Sequence, residues 1–161
     1  PIVAEDLGII TAEVREVIRT FGFPGMKILQ FGFHGDVRTN PYAPHNHIRD
    51  SVIYTGTHDN NTTRGWFRKD LSAGDREQLS EYLGRSMDEQ VIHMELVRVA
   101  MMSVADTCVI PLQDFLGLDE GARMNHPSVS HGNWEWRLSP ELLTDDLRRA
   151  IARLTRLYGR A

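Results

Sequence analysis

The chain has 161 residues, a mildly negative net charge of −4 and a single cysteine. That length and an ordinary globular composition accommodate one domain with a real core, and the dispersed basic residues give no nucleic-acid footprint. No apolar run approaches the roughly 20 residues of a membrane span, Pro1 to Glu5 does not read as a signal peptide, and Cys108 beside Val109 and Ile110 fits a buried thiol in a reducing cytoplasm.

Ile2 to Ala4 is a short apolar run met at once by Glu5, Asp6, Leu7 and Gly8, which reads as a strand ending in acidic groups. Thr11 is placed to cap a helix whose stripe of Val14, Val17, Ile18 and Phe21 stops at Gly22 and Pro24. Met26 to Phe33 reads as a second strand, and a helix between two buried strands is a βαβ unit. Residues 34–50 hold breakers such as Asn40-Pro41 and Ala43-Pro44 and no periodicity, a loop of the length that in compact domains is more often functional than idle.

Ser51 to Thr55 is a third apolar, β-branched strand, after which Gly56 lets the backbone turn and Thr57, His58, Asp59, Asn60 and Asn61 stand side by side. Thr62 to Lys69 predicts a short helix with Trp66 and Phe67 packed, and Ser72 with Asp75 forms a capping box for a helix to about Leu83. A further helix, from about Met87 to Ala105, turns Val97, Ala100, Met101 and Val104 to the core. Thr107 to Leu112 is the fourth expected buried strand, ending in Gln113 and Asp114. A loop over Gly117 to Gly132 and the pair Trp134 and Trp136 precede a last helix from Thr144, with Leu147, Ile151, Leu154 and Tyr158 inward. Four strands with helical connections read as four βα units. They form either an open α/β domain or half of a (β/α)8 barrel, and the abrupt entry into a strand at Pro1 points to a piece of something longer.

In parallel α/β folds, ligand-handling residues sit just past the carboxyl ends of strands. Those ends here carry Glu5 and Asp6, Asp36, His58 and Asp59, and Asp114. Two carboxyl groups about 5–5.5 Å apart are the equipment of retaining glycoside chemistry, one as acid/base and one as nucleophile. An acid at neutral pH needs a raised pKa, which partial burial and the like-charged Asp6 would give Glu5; a plain rim contact for Glu5 is an equally open reading. Phe31, Phe33, Tyr42, Tyr54, Trp66, Trp134 and Trp136 offer flat faces for sugar rings, though most are expected in the core. His34, His45, His47, His58 and His93 with Asp59 are metal-binding types, but without an H-E-x-x-H or paired-cysteine spacing metal binding is the weaker reading. Phosphate-loop, dinucleotide and G-x-S-x-G patterns are absent.

Four stretches carry a resemblance: Ala4-Glu5-Asp6-Leu7-Gly8, Phe23-Pro24-Gly25-Met26 running to Gln30-Phe31, Tyr54-Thr55-Gly56-Thr57-His58-Asp59-Asn60, and Arg123-Met124-Asn125-x-Pro127 with Gly132-Asn133-Trp134-x-Trp136-Arg137. In this order they resemble the amylomaltase family of 4-α-glucanotransferases over nearly the whole chain. The resemblance implies a cytoplasmic enzyme that passes α-1,4-glucan segments between malto-oligosaccharides and needs no metal or organic cofactor. It further implies that residues 1–161 are the C-terminal half of a catalytic (β/α)8 barrel. Glu5 then matches the acid/base, Asp59 the carboxylate that stabilises the distorted sugar, and His58 and Asn125 sugar-binding groups; Phe31 matches the acceptor side and Asp36 the donor side. The family's nucleophilic aspartate, in an Arg-x-Asp-His type motif, has no counterpart here and is expected before Pro1, in a missing N-terminal half. A non-catalytic α-glucan-binding or chain-pairing module is the competing class.

Overall fold

The computed structural model describes residues 2–161, so Pro1, where the first expected strand begins, lies outside the described residues. Strands β1 (Gly25–Ile28), β2 (Ser51–Tyr54) and β3 (Thr107–Val109) form a parallel sheet in the order β1-β2-β3, Met26 facing Val52 and Ile53 facing Cys108. Helices α1 (Ala12–Phe21), α2 (Thr63–Gly65), α3 (Ala73–Tyr82), α4 (Ile92–Met102), α5 (Leu112–Phe115) and α6 (Asp145–Leu157) complete an α/β unit, with a π-helical segment, Trp66–Asp70, continuing α2.

Local signals set the helix ends. Thr11, Ser72 and Thr144 each accept the N3 amide of their helix, Ser72 with Asp75 in a full capping box, and Gly22 closes α1 at φ 63°, where a Cβ is disfavoured. The core lies where the segments after β2 and the helices α3 and α4 converge on the sheet: Leu29, Phe33, Ile53, Leu79, Ile92, Leu96 and Ala100 are fully buried, with Trp66 and Phe67 beside them. Truncating one of these leucines to alanine costs about 2–5 kcal/mol.

Elsewhere the structure departs from expectation. Ile2 to Ala4 is reduced to one parallel bridge, Ala4 to Gly25, in which the Ala4 amide donates to Pro24 O at 2.9 Å; Ile2 and Val3 are exposed. β1 stops at Ile28 and passes into a 3-10 turn, Leu29–Phe31. β3 ends at Val109 because Pro111, which lacks an N–H, opens α5, and both Thr107 and Val109 are exposed rather than buried. α4 is shorter than predicted and leaves Val104 exposed beyond its end. The apolar stripe of α1 forms as spaced, but Val14, Val17 and Phe21 stay exposed, Phe21 stacked on Phe23 at 5.6 Å. The loop over 34–50 is ordered by side chains bonding its own backbone: Asn40 donates to Phe31 O, Asn46 to Asn40 O, and buried His47 bridges Ser103 Oγ and Tyr42 O.

Candidate active site

The carboxyl ends of the strands open on one cleft of about 730 Å³, lined by Glu5, Leu7, Gly8, Phe31, Thr57, His58, Asp59 and Asn60 over a floor of Met26, Tyr54, Val109 and Ile110. The β2 wall is the more constrained. Thr55, fully buried, donates its hydroxyl to Asp114 Oδ2, and the Thr63 amide donates to Asp114 Oδ1 at 2.8 Å. One carboxylate on α5 therefore holds both ends of the segment carrying the site. Burial pushes the Asp114 carboxyl up, and the hydrogen bonds from Thr55 and Thr63 oppose that shift.

From the β1 side, buried Gln30 donates its amide to Asn61 O at 2.8 Å. That contact explains Gly56 better than a need to turn: its φ is not positive, and a Cβ there would stand 2.7 Å from Gln30 Nε2. Asn60 Oδ1 accepts from the amide and the hydroxyl of Thr57, both at 2.8 Å, closing the turn on itself. His58 and Asp59 project from it with side chains about half exposed.

A third contact comes from the segment after α5. Asn125 donates its side-chain amide to Asp59 Oδ1 at 2.6 Å, and its backbone amide donates to His58 O at 3.1 Å. The Arg123 guanidinium donates to Asp59 O at 2.6 Å and Asn125 O at 2.8 Å. His58 Nε2 lies 3.4 Å from Asp59 Oδ1, and the His58 ring lies 5.0 Å from that of Trp134.

The opposite wall is different. Glu5 faces the cleft but is exposed, and its neighbour Asp6 turns away to accept the Met26 amide at 2.7 Å, filling the space a Cβ at Gly25 would need. The partial burial expected to tune Glu5 is thus not supplied by the described residues. Phe31 lines the cleft, set edge-on against Tyr42 at 5.4 Å. Asp36 does not line it; it pairs with Arg38 at 2.9 Å, which holds its carboxyl below the usual range. The structure therefore brings together Glu5, Phe31, His58, Asp59 and, through Asp59, Asn125. Asp114, expected at a strand end, holds the turn from behind and does not line this cleft, while Gln30 and Arg123, which also order the site, are not among the candidate site residues; an amide inside an otherwise apolar stretch is the available signal for Gln30. The histidines do not converge: His45 pairs with Tyr82 Oη at 2.9 Å and His47 with Ser103, and among the described residues no group of three or more His, Cys, Asp or Glu is gathered to hold a metal ion.

Carboxylates, an imidazole and an amide thus stand at the carboxyl edge of a parallel sheet, above an apolar floor, where α/β folds place their ligand sites. Residues 1–144 match the family model described as 4-alpha-glucanotransferase, and the chain belongs to that family. It is 49% identical to a 4-alpha-glucanotransferase of Synechocystis sp. over 99% of this chain and 31% of that protein, and 41% identical to a chloroplastic/amyloplastic 4-alpha-glucanotransferase of Solanum tuberosum over 99% of this chain and 28% of that protein. The structure superposes on an amylomaltase from Streptococcus agalactiae in complex with acarbose with a TM-score of 0.93 and 34% identity, covering 100% of this chain and 32% of that one. The chain thus spans about a third of the length of the relatives it matches. Among the described residues no helix is long and apolar enough to cross a membrane.

Proposed function

We propose that residues 1–161 form the C-terminal part of the catalytic (β/α)8 barrel of a 4-α-glucanotransferase, which moves α-1,4-glucan segments between malto-oligosaccharides with retention. The observation that carries this reading is that Glu5, Phe31, His58 and Asp59 line one cleft, with Asn125 bonded to Asp59, in a chain of that family. The acarbose in the Streptococcus agalactiae neighbour supports a carbohydrate ligand.

In the first step, an aspartate outside these residues attacks the anomeric carbon as Glu5 gives its proton to the departing 4-oxygen, leaving a glycosyl ester and a shortened glucan. In the second, Glu5 takes the proton of an acceptor 4-hydroxyl, whose oxygen displaces the ester carboxylate. Asp59 Oδ1 is occupied by Asn125 and, at longer range, His58, which leaves Oδ2 for sugar hydroxyls; held rigid, that charge stabilises the oxocarbenium-like transition state without reorganising. Phe31 presents its ring to the acceptor sugar. Asp36 serves the donor side only if the glucan extends beyond the cleft along the loop over 34–50. The mechanism draws on no cofactor, and the single cysteine supports a reducing, cytoplasmic setting.

The test is a fusion in which this chain replaces the matching segment of the full-length Synechocystis relative. Incubated with maltotriose, it is expected to release glucose and build longer oligomers, and Glu5→Gln is expected to lower that rate about 10²- to 10⁴-fold. An active Glu5→Gln protein would contradict the role given to Glu5.

A further inference from the structure

We propose that Trp134 is a positioning residue for His58, holding the imidazole in the orientation in which it meets Asp59 and lines the cleft. The proposal rests on the reading of His58 as a sugar-binding group. The two rings stand 5.0 Å apart at 36°, and Trp134 does not line the cleft, so its ring meets the imidazole from behind.

The backbone points the same way. Trp134 has φ 63°, in the left-handed region that bulky side chains rarely adopt, although the chain uses glycine for the same purpose two residues earlier, at Gly132 with φ 74°. Burial does not account for an indole there, since Trp134 is 50% exposed. Such conformations persist where surrounding contacts over-determine them, and they concentrate at functional sites.

Those contacts are present. The Trp134 amide donates to Met124 O at 2.7 Å, and Arg137 donates to Trp134 O at 2.6 Å. Asn133 donates to Val129 O at 2.8 Å and accepts the His126 amide at 2.8 Å. The segment that presents the indole is the one whose Asn125 amide binds His58 O at 3.1 Å. It therefore grips His58 by its carbonyl on one side and by its ring on the other. An imidazole held this way meets the sugar without first losing rotamer freedom.

The experiment uses the fusion protein with Trp134→Gly and Trp134→Phe, histidines labelled with ¹³C in the ring and the His58 signal assigned through His58→Gln. Glycine suits the backbone and removes the ring; phenylalanine keeps a ring and tolerates the backbone no better than tryptophan does. Trp134→Gly is expected to keep or raise the thermal midpoint, to lower kcat/KM for maltotriose about ten- to a hundredfold, and to shift and broaden the His58 signal. Trp134→Phe is expected to retain most of the activity and a sharp His58 signal. An unchanged kcat/KM and an unchanged His58 signal in Trp134→Gly would overturn the proposal, as would Trp134→Phe losing activity and thermal midpoint together with Trp134→Gly. Should the unsubstituted fusion turn nothing over, the glucan reading fails, and the His58 signal in Trp134→Gly still decides: a change supports the positioning role and no change overturns it.

Discussion

The β2 end and the Ala4 segment both carry a carboxylate into the cleft, but the first is bonded from three sides while the second is joined to the sheet at its β1 edge, by the Ala4 bridge and the Asp6 carboxylate. Asp59 stands on a turn held by Asp114 from α5, by Gln30 from the 3-10 turn after β1 and by Arg123 and Asn125 from the segment after α5. Glu5 lies between Ala4, whose amide donates to Pro24 O, and Asp6, which accepts the Met26 amide, beside exposed Ile2 and Val3. On the proposed reading, the group that grips the sugar is preorganised among the described residues, whereas the proposed acid/base is held by fewer contacts. That asymmetry matches a chain spanning about a third of its relatives' length.

Substitutions that remove chemistry should act most strongly. After Glu5→Gln, the next largest effect is expected from Asp59→Asn, which preserves shape and an acceptor for Asn125 but removes the charge facing the sugar; glucan transfer by the fusion should fall about 10²- to 10³-fold with little change in thermal midpoint. A matching loss of stability would mean that Asp59 orders the turn rather than stabilising the sugar.

Substitutions behind the β2 turn come next. Asp114→Ala leaves the Thr55 hydroxyl and the Thr63 amide without their acceptor and should cost about 1–3 kcal/mol in chemical denaturation. Asp114→Asn should cost less, with a pH signature. Burial keeps the proton on Asp114 to higher pH in the folded chain than in the unfolded one. Above the ordinary carboxylate range, about pH 4, the unfolded chain therefore binds fewer protons and wild-type stability declines relative to Asp114→Asn, whereas below that range the difference is constant. A difference that is flat from pH 4 to 7 would refute this account of Asp114. Gly56→Ala drives a Cβ against Gln30 and should cost about 1–3 kcal/mol with a fall in activity.

The smallest effect is expected on the other wall. Ile2→Ser should change the stability of the 161-residue chain by no more than about 0.5 kcal/mol, because Ile2 is exposed in it. If the proposed barrel is right, further strands of the fusion cover that side and the same substitution should cost several times more there. Equal effects in both would remove the contrast between the walls.

How far the sequence reaches follows the range of each interaction. Thr11 with Gly22, Ser72 with Asp75 and Thr144 act within one helix, so α1, α3 and α6 were legible from residues a few positions apart. Glu5, His58 and Asp59 were legible as polar residues at strand ends, while Phe31 and Asn125 came only from the family resemblance. What holds them was not legible: Thr55 meets Asp114 across 59 positions and Arg123 meets Asp59 across 64, pairings that no local pattern encodes. Where burial misled, it did so for one reason. The apolar runs Ile2–Ala4 and Thr107–Leu112 have the composition of buried strands, yet an apolar run is buried only when something packs on it, and no described element covers Ile2, Val3 or Val109. Asp36 shows the converse, a carboxylate at the expected place that Arg38 holds outside the cleft.

The most direct measurement is glucose release from maltotriose by the 161-residue chain alone and by the chain co-expressed with the remaining part of a full-length relative. The account predicts no sustained turnover from the chain alone, because the attacking carboxylate lies elsewhere, and turnover that depends on Glu5 once the other part is supplied. Sustained transfer by the isolated chain would contradict it.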